Sequence, residues 1–470
     1  MTNMRSQPSP SNPSEVAASQ QRSNVPTRQA IAIISADADP AIDTGKQEAG
    51  ERNIYVRRIA EALCKLGWQV DIFTRKNHPD QPKIVEHSPY CRTIRLKAGP
   101  EALIPRDQRF EIMPEFLEEF LKVHSKEHYP LVHTSYWTSG WVGMQLKQHH
   151  NLQHVHTYHS LGILKYPMAN RTSAIAQTRI DVERQILEAA DCIVATSPQE
   201  QEALQMMGSP KGIFEVIPGG ADVDVFRAMP QVDARLKLGF DLSEHLVLYV
   251  GRFDPRKGLK TLVESVARLI QQPGAALTKP VRLVIVGGED PAQESHEERQ
   301  YIGNLVEELG LSDRVLFVGQ VGHDVLPLYY TAADVCAVPS HFEPFGLVAL
   351  EAMSCGTPVV ASDVGGLKFT IVPEETGLLV PPDDVDALAN AIERVLTDQV
   401  WAQKLKRQAS ARVQQNFSWT GVAARLSDLY RRLLAQSITH ELLWDAIEPS
   451  SANGTQTSSV LVEPTQVRAG

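Results

Sequence analysis

The sequence has no uninterrupted apolar run near the ~20 residues that a membrane helix needs, and its N-terminus lacks the apolar core of a secretory signal. A soluble, cytoplasmic protein is expected. It also lacks a basic excess: 46 Lys and Arg against 56 Asp and Glu leave a formal net charge of −10. There is thus no broad cationic face for nucleic acid, although a local basic pocket could still take a phosphate. No strongly basic amphipathic stretch is available for a membrane surface. The five cysteines, Cys64, Cys91, Cys192, Cys336 and Cys355, form no CxxC pair, and no histidines cluster at zinc spacing. Each cysteine reads as a small buried apolar residue in a reducing compartment, and no structural metal is expected. Nor does a GxGxxG fingerprint follow the first strand, where Ser35-Ala36-Asp37 stands, which argues against a dinucleotide dehydrogenase.

What is present is 470 residues with 43% apolar and 22% charged usage, enough for two or three globular domains. Residues 1–28 are rich in Ser, Pro, Gln and Asn and predict a disordered tail, as do residues 435–470 for the most part. Between them, short β-rich runs alternate with segments of helical period. In the first half the predicted strands are 31–35, 69–74, 93–96, 131–134, 154–158, 192–195 and 214–217. In the second they are 246–250, 281–286, 315–318, 335–338, 358–361 and 377–380. Several runs are apolar without alternation, as in parallel strands covered on both faces. The expected fold is α/β: a Rossmann-like domain over 29–220, a linker over 221–244, a second doubly wound domain over 245–416 and a closing helix over 417–434. The two domains face each other across a cleft, and ligands are expected beyond the carboxyl ends of the strands.

Just after the strand 246–250 stands Gly251-Arg252-Phe253-Asp254-Pro255-Arg256-Lys257-Gly258. Arg252 and Lys257 could converge there on a diphosphate, or could simply belong to a solvated basic turn that caps a helix. After the strand ending near Pro339 comes His341-Phe342-Glu343-Pro344-Phe345-Gly346-Leu347, followed by an apolar helix carrying Glu351. The leading amides of that helix could hold a phosphate or sugar hydroxyls. Glu351 sits among Leu350, Ala352 and Met353 and needs a partner, either a ribose diol or a neighbouring Arg or Lys. In the first half, His159 stands at a strand end, where a structural role is the ordinary expectation. Arg179 and Glu183 have the spacing of an exposed helical pair worth ~0.3 to 0.5 kcal/mol. Asp-x-Asp occurs at 37–39, 222–224 and 384–386, too common a pattern to signal a metal.

Taken in order, the run Gly251–Lys257, the Glu343 and Glu351 pair, Cys355-Gly356-Thr357-Pro358-Val359-Val360, Gly365-Gly366, Gly377-Leu378-Leu379-Val380 and Asn416-Phe417-Ser418-Trp419 resemble the GT-B retaining glycosyltransferases of family 4. The resemblance spans residues 29 to 434. It implies that Arg252 and Lys257 bind a nucleotide diphosphate, with Gly251 at the same turn. Glu351 would hold the ribose, while Glu343 and the amides of Phe345, Gly346 and Leu347 would hold the donor sugar. The base would lie by Gly319, Gln320 and Val321, and Gly287 and Gly288 would line the approach. In the Gly50 loop, Glu51 departs from the family's usual pair of glycines. The His159-Ser160-Leu161-Gly162 run implies that His159 lies beside the transferred sugar, so His159, Arg252, Lys257 and Glu343 form the catalytic set.

Tyr136, Ser160, Lys165 and Arg179, with Arg106 or Arg109 added, would make an anion pocket for a phosphorylated acceptor. This pattern looks most like the sucrose-phosphate synthase branch and its phosphosugar-acceptor relatives. That implies glucose transfer from UDP-glucose or ADP-glucose to fructose 6-phosphate, no obligatory cofactor or metal, and a separate phosphatase to free the product. An inositol phosphate or an unphosphorylated sugar as acceptor is the alternative, and a nucleotide-sugar epimerase or a non-catalytic binding module is more remote.

Overall fold

The computed structural model describes residues 28–42, 51–166, 175–271, 277–288 and 293–447. The first sheet holds β1 (Ala30–Ile34), β2 (Gln69–Arg75), β3 (Ile84–Ser88), β4 (Cys91–Leu96), β5 (Leu131–Ser135), β6 (Gln153–Thr157), β7 (Cys192–Ala195) and β8 (Ile213–Val216). Their spatial order is β3-β4-β2-β1-β5-β6-β7-β8, parallel throughout except for β3, which runs antiparallel to β4. The second holds β9 (His245–Val250), β10 (Val281–Val286), β11 (Val315–Gly319), β12 (Val335–Val338), β13 (Val359–Ser362) and β14 (Leu378–Val380). These are ordered β11-β10-β9-β12-β13-β14, all parallel. The non-alternating apolar runs have the expected cause: successive side chains enter two different cores. Val247, Tyr249, Leu283 and Ile285 fill one face of the second sheet, while Leu246, Leu248, Val284 and Val286 fill the other.

Three elements differ from expectation. The edge strand β3 has a mixed, largely solvent-facing sequence and no apolar run to mark it. Within the 221–244 linker, Gln231–Leu238 forms a helix that ends on Gly239 in the left-handed conformation. The closing helix runs from Trp419 to Ile447, beyond the expected end at 434. Among the described residues no helix is long and apolar enough to cross a membrane.

The chain leaves the first lobe and returns to it at one place. Ala221 N–H donates to Phe417 O at 2.8 Å. The closing helix then packs Val422, Leu426, Leu429 and Tyr430 against Ile31, Ile33, Val70 and Ile72 of the first sheet. Trp68 Nε1 donates to Ser427 Oγ at 2.8 Å to fix its register.

Buried imidazoles lie on both faces of the first sheet, His133 under the closing helix and His154 and His156 under the helix Trp137–His149. His133 contacts Tyr430 Oη at 2.5 Å and Thr157 Oγ1 at 2.9 Å, while His154 and His156 both reach Thr134 Oγ1, at 2.8 and 2.7 Å. The helix Trp137–His149 can lie this close because position 143 is glycine: a Cβ there would come within 2.2 Å of His154 Nε2.

Strand order reverses direction between β1 and β5 in the first sheet and between β9 and β12 in the second. Such switch points leave a crevice at the carboxyl ends of the strands. The motif residues that follow β5, β9 and β12 therefore open onto these crevices.

Candidate functional site

At the second crevice, β9 runs into Gly251, Arg252 and a short 3-10 turn, Pro255–Lys257. Asp254 caps that turn by accepting from Arg256 N–H at 3.0 Å, and its carboxylate takes the Arg256 guanidinium at 3.0 and 2.5 Å. Burial alone would raise the Asp254 carboxyl, but the Arg256 bonds and charge hold it below its ordinary value. Arg256 is thus committed to the turn, leaving Arg252 and Lys257 as its outward cations. Arg252 is half exposed, 3.9 Å from Asp254. Gly258 ends the turn at φ +67°, against the exit of β12; a Cβ there would stand 1.9 Å from Pro339 O.

This close approach brings Lys257 Nζ to Glu343 Oε2 at 2.6 Å. Glu343 is buried, and Ser340 Oγ donates to the same oxygen at 3.3 Å. A buried carboxylate is costly unless paired, and Lys257 supplies that partner beyond β12. The next turn is held when Gly366 N–H donates to Glu343 O at 2.9 Å. The helix Leu347–Ser354 starts just after Gly346, with its leading amides available to a ligand. Phe345 is buried in the apolar core, so only its backbone is offered. Tyr330 Oη donates to Glu351 Oε2 at 2.7 Å, so a phenol meets this buried glutamate.

The turns after β9, β10 and β11 are tied side by side: Gly251 N–H donates to Val286 O, and Gly287 N–H to Gly319 O, both at 3.0 Å. Gly319, Gln320 and Val321 therefore border the same crevice. A cavity of about 160 Å³ opens where both lobes meet. Ile54 and Arg58 reach it from the first lobe, Asp222 from the crossing, and His323, Leu347 and Glu351 from the second. Arg58 spans the lobes with an ion pair to Asp222 at 2.7 Å. The sequence did not single out Arg58 or His323, and Asp222 was noted only within an Asp-x-Asp pattern too common to signal a metal. Beyond that, their only signal was their closeness to the Gly50 loop, the linker and the turn after β11.

At the first crevice, His159 has φ +60° and Tyr136 has φ +77°. Left-handed backbone at two non-glycine residues stores strain, as binding sites often do. His159 Nε2 meets Ser135 Oγ at 3.0 Å, and the Tyr55 ring packs edge-on at 4.7 Å. Burial, with Arg52 adding to it, holds the His159 imidazole well below its ordinary pKa, so the ring is neutral at pH 7. A neutral ring can hydrogen-bond a sugar hydroxyl without adding charge.

Arg179, Tyr136 and Ser160 do come together: Arg179 Nη1 donates to Tyr136 Oη at 3.2 Å, and Nη2 to Ser160 O at 2.5 Å and Ser160 Oγ at 3.3 Å. The exposed helical pair anticipated for Arg179 and Glu183 is corrected: Nε meets Glu183 Oε1 at 2.6 Å, and both side chains are fully buried. Arg179→Ala should therefore lower unfolding free energy by about 3–5 kcal/mol, since it strands a buried carboxylate. Urea denaturation checks this, and Arg179→Ala with Glu183→Ala should recover part of the loss. A cost below about 1 kcal/mol would mean the pair behaves as an exposed one.

Arg106 is exposed, and Arg109 Nη1 donates to Asp37 O at 3.4 Å. Gly50 and the Lys165 side chain lie outside the described residues. Five of the six Asp-x-Asp carboxylates are engaged by protein: Asp37 accepts from Thr138, Asp39 pairs with buried Arg95, Asp222 with Arg58 and Asp386 with Arg268, and Asp384 caps a helix, while Asp224 is exposed. Among the described residues no group of three or more His, Cys, Asp or Glu could hold a metal ion.

Two family models match in tandem, "Glycosyl transferase 4-like domain" over residues 52–220 and "Glycosyl transferases group 1" over 232–414. A D-inositol 3-phosphate glycosyltransferase of Gordonia bronchialis is 34% identical over 415 residues, 87% of this chain and 90% of the relative. The solved structure of a sucrose-phosphate synthase from Thermosynechococcus elongatus is 52% identical, with a TM-score of 0.79 over 87% of this chain and 100% of that one. An Anabaena protein solved in complex with UDP-glucose shares the fold at 20% identity, TM-score 0.66, over 86% of this chain and 100% of that one.

Proposed function

Since the chain belongs to the GT-B retaining glycosyltransferases of family 4, we propose that it transfers glucose from UDP-glucose to fructose 6-phosphate with retention at the anomeric carbon. The observation that carries the transfer reading is the cavity shared by both lobes, with Glu351 and Leu347 in its wall and the Lys257–Glu343 pair at the neighbouring turn. Glu351 accepts from the ribose diol. Arg252 and Lys257 grip the pyrophosphate with the amides of Phe345, Gly346 and Leu347. Glu343 receives the sugar hydroxyls, and the base lies by Gly319 and Val321.

His159, neutral and fixed by Ser135, hydrogen-bonds the glucosyl unit. The bond from the anomeric carbon to the phosphate oxygen breaks as the acceptor hydroxyl bonds to the same face. Its proton passes to a leaving phosphate oxygen, so no protein base is required. The two cations neutralise charge that grows on the departing diphosphate, and the work is positioning and electrostatics. Fructose 6-phosphate is favoured by the 52% identity to a synthase matched over its whole length.

The second reading, inositol phosphate as acceptor, is favoured by the name of the 34% identical relative. Either acceptor is a phosphorylated polyol and suits a cytoplasmic enzyme feeding a separate phosphatase. Nucleotide release should rise at least tenfold when fructose 6-phosphate is added to enzyme and UDP-glucose, and less with ADP-glucose or inositol phosphate. Equal release without any acceptor would overturn the transfer reading, and a larger response to inositol phosphate would overturn the choice of acceptor.

A further inference from the structure

Arg52 lies in the first turn of the helix Glu51–Lys65, at the carboxyl edge of the first sheet. Its guanidinium lies over the Tyr136 ring, 3.9 Å from the centroid. Tyr136 follows Ser135, whose hydroxyl meets His159, so one dipeptide carries both the imidazole's partner and the platform for Arg52. Arg52 Nη1 is enclosed yet has no hydrogen-bond partner among the described residues. An enclosed, unpaired donor costs about 1–3 kcal/mol, more when charged, unless something accepts from it.

The surrounding charge points the same way. Burial does most to push the Arg52 pKa down, Tyr136 and Asp37 oppose it, and Arg106 and Arg109 are close enough to add to the lowering. Asp37 already accepts from Thr138 Oγ1 at 2.6 Å and stands 3.9 Å from Arg109. Three guanidiniums facing one engaged carboxylate leave an excess of positive charge on a chain whose net charge is −10. Arg179 is the poorer candidate for a ligand, because Nε and Nη2 are spent on Glu183 and Ser160.

We infer that Arg52 is a specificity-determining residue: lying over Tyr136, it presents its N–H edge to the acceptor's phosphate, with Arg106 and Arg109 adding charge. A flat guanidinium can donate two parallel hydrogen bonds to one phosphate, which an ammonium does not match. Anchoring the phosphate there brings the rest of the ring toward His159, where the donor sugar is held. The role rests on the phosphosugar reading above.

The test uses full-length wild type, Arg52→Gln and Arg52→Lys, each checked for its folded state by circular dichroism. KM is measured for fructose 6-phosphate against fructose, for inositol 3-phosphate against inositol, and for UDP-glucose. Arg52→Gln should raise KM for the phosphorylated acceptor tenfold or more, while leaving the dephosphorylated partner and the donor within twofold. Arg52→Lys should recover only part of the loss, which a purely structural role would not produce. If Arg52→Gln keeps the wild-type preference for phosphate, the role of Arg52 fails alone. If only the donor's KM rises, the guanidinium belongs to the donor diphosphate and the inference is overturned. If the wild type itself shows no preference within either pair, the phosphosugar reading fails and takes this inference with it.

Discussion

Replacing Lys257 with alanine is expected to lower kcat by about 10²–10³-fold, the scale of losing one preorganised group that stabilises developing charge. Two effects combine. The cation proposed to face the leaving diphosphate is lost, and Glu343, held by Lys257 at 2.6 Å, is left as a buried carboxylate without that partner. Lys257→Ala combined with Glu343→Gln should therefore recover part of the rate, although Glu343→Gln alone lowers it. Steady-state kinetics at saturating donor and acceptor read both results. An unchanged kcat in Lys257→Ala would remove the lysine from the proposed chemistry.

The second large effect is acid lability of the first lobe. Burial holds the His133 and His154 imidazoles down to about 3, the latter helped by Lys147 and His133, and holds His156 well below its ordinary value. A histidine whose folded pKa lies below its unfolded value of about 6.5 contributes stability that is fully present above about pH 6.5. That contribution is lost as pH falls toward the folded value. Each ring can cost up to about 1.4 kcal/mol per pH unit over that range, so three together approach a domain's whole stability of about 5–15 kcal/mol within two to three units. Thermal melts between pH 7.5 and 4.5 should show the midpoint falling steeply below about pH 6. His156→Gln should flatten that slope. A midpoint constant down to pH 5 would mean that these rings take up protons without the lobe opening.

Much of the architecture was legible because a parallel sheet covered on both faces forces continuous apolar runs. Cys192–Ala195, Val281–Val286 and Val335–Val338 have the bounds read from the sequence. Strand β3 escaped because an edge strand with one solvated side needs no such run. The second crevice could be located because its loops directly follow recognisable strands. The first was harder: spacing shows that Arg179 and Glu183 share a helix face, but only packing shows that the face is covered. Arg52 escaped for a related reason, since its meaning depends on Tyr136, which is 84 positions away in the sequence and 3.9 Å away in space.

The paired crossings at Ala221 and Phe417 also bear on synthesis of the chain. The sheet of the first lobe is finished at β8, but one of the two helices that cover this face, the one packed beside Glu51–Lys65, begins only at Trp419. Roughly 200 residues must leave the ribosome in between, a delay of roughly 10–40 s at about 5–20 residues per second. Throughout that interval the helix Glu51–Lys65 covers this face alone, and the apolar surface that Val422, Leu426 and Leu429 later bury stays open to solvent until the last helix arrives.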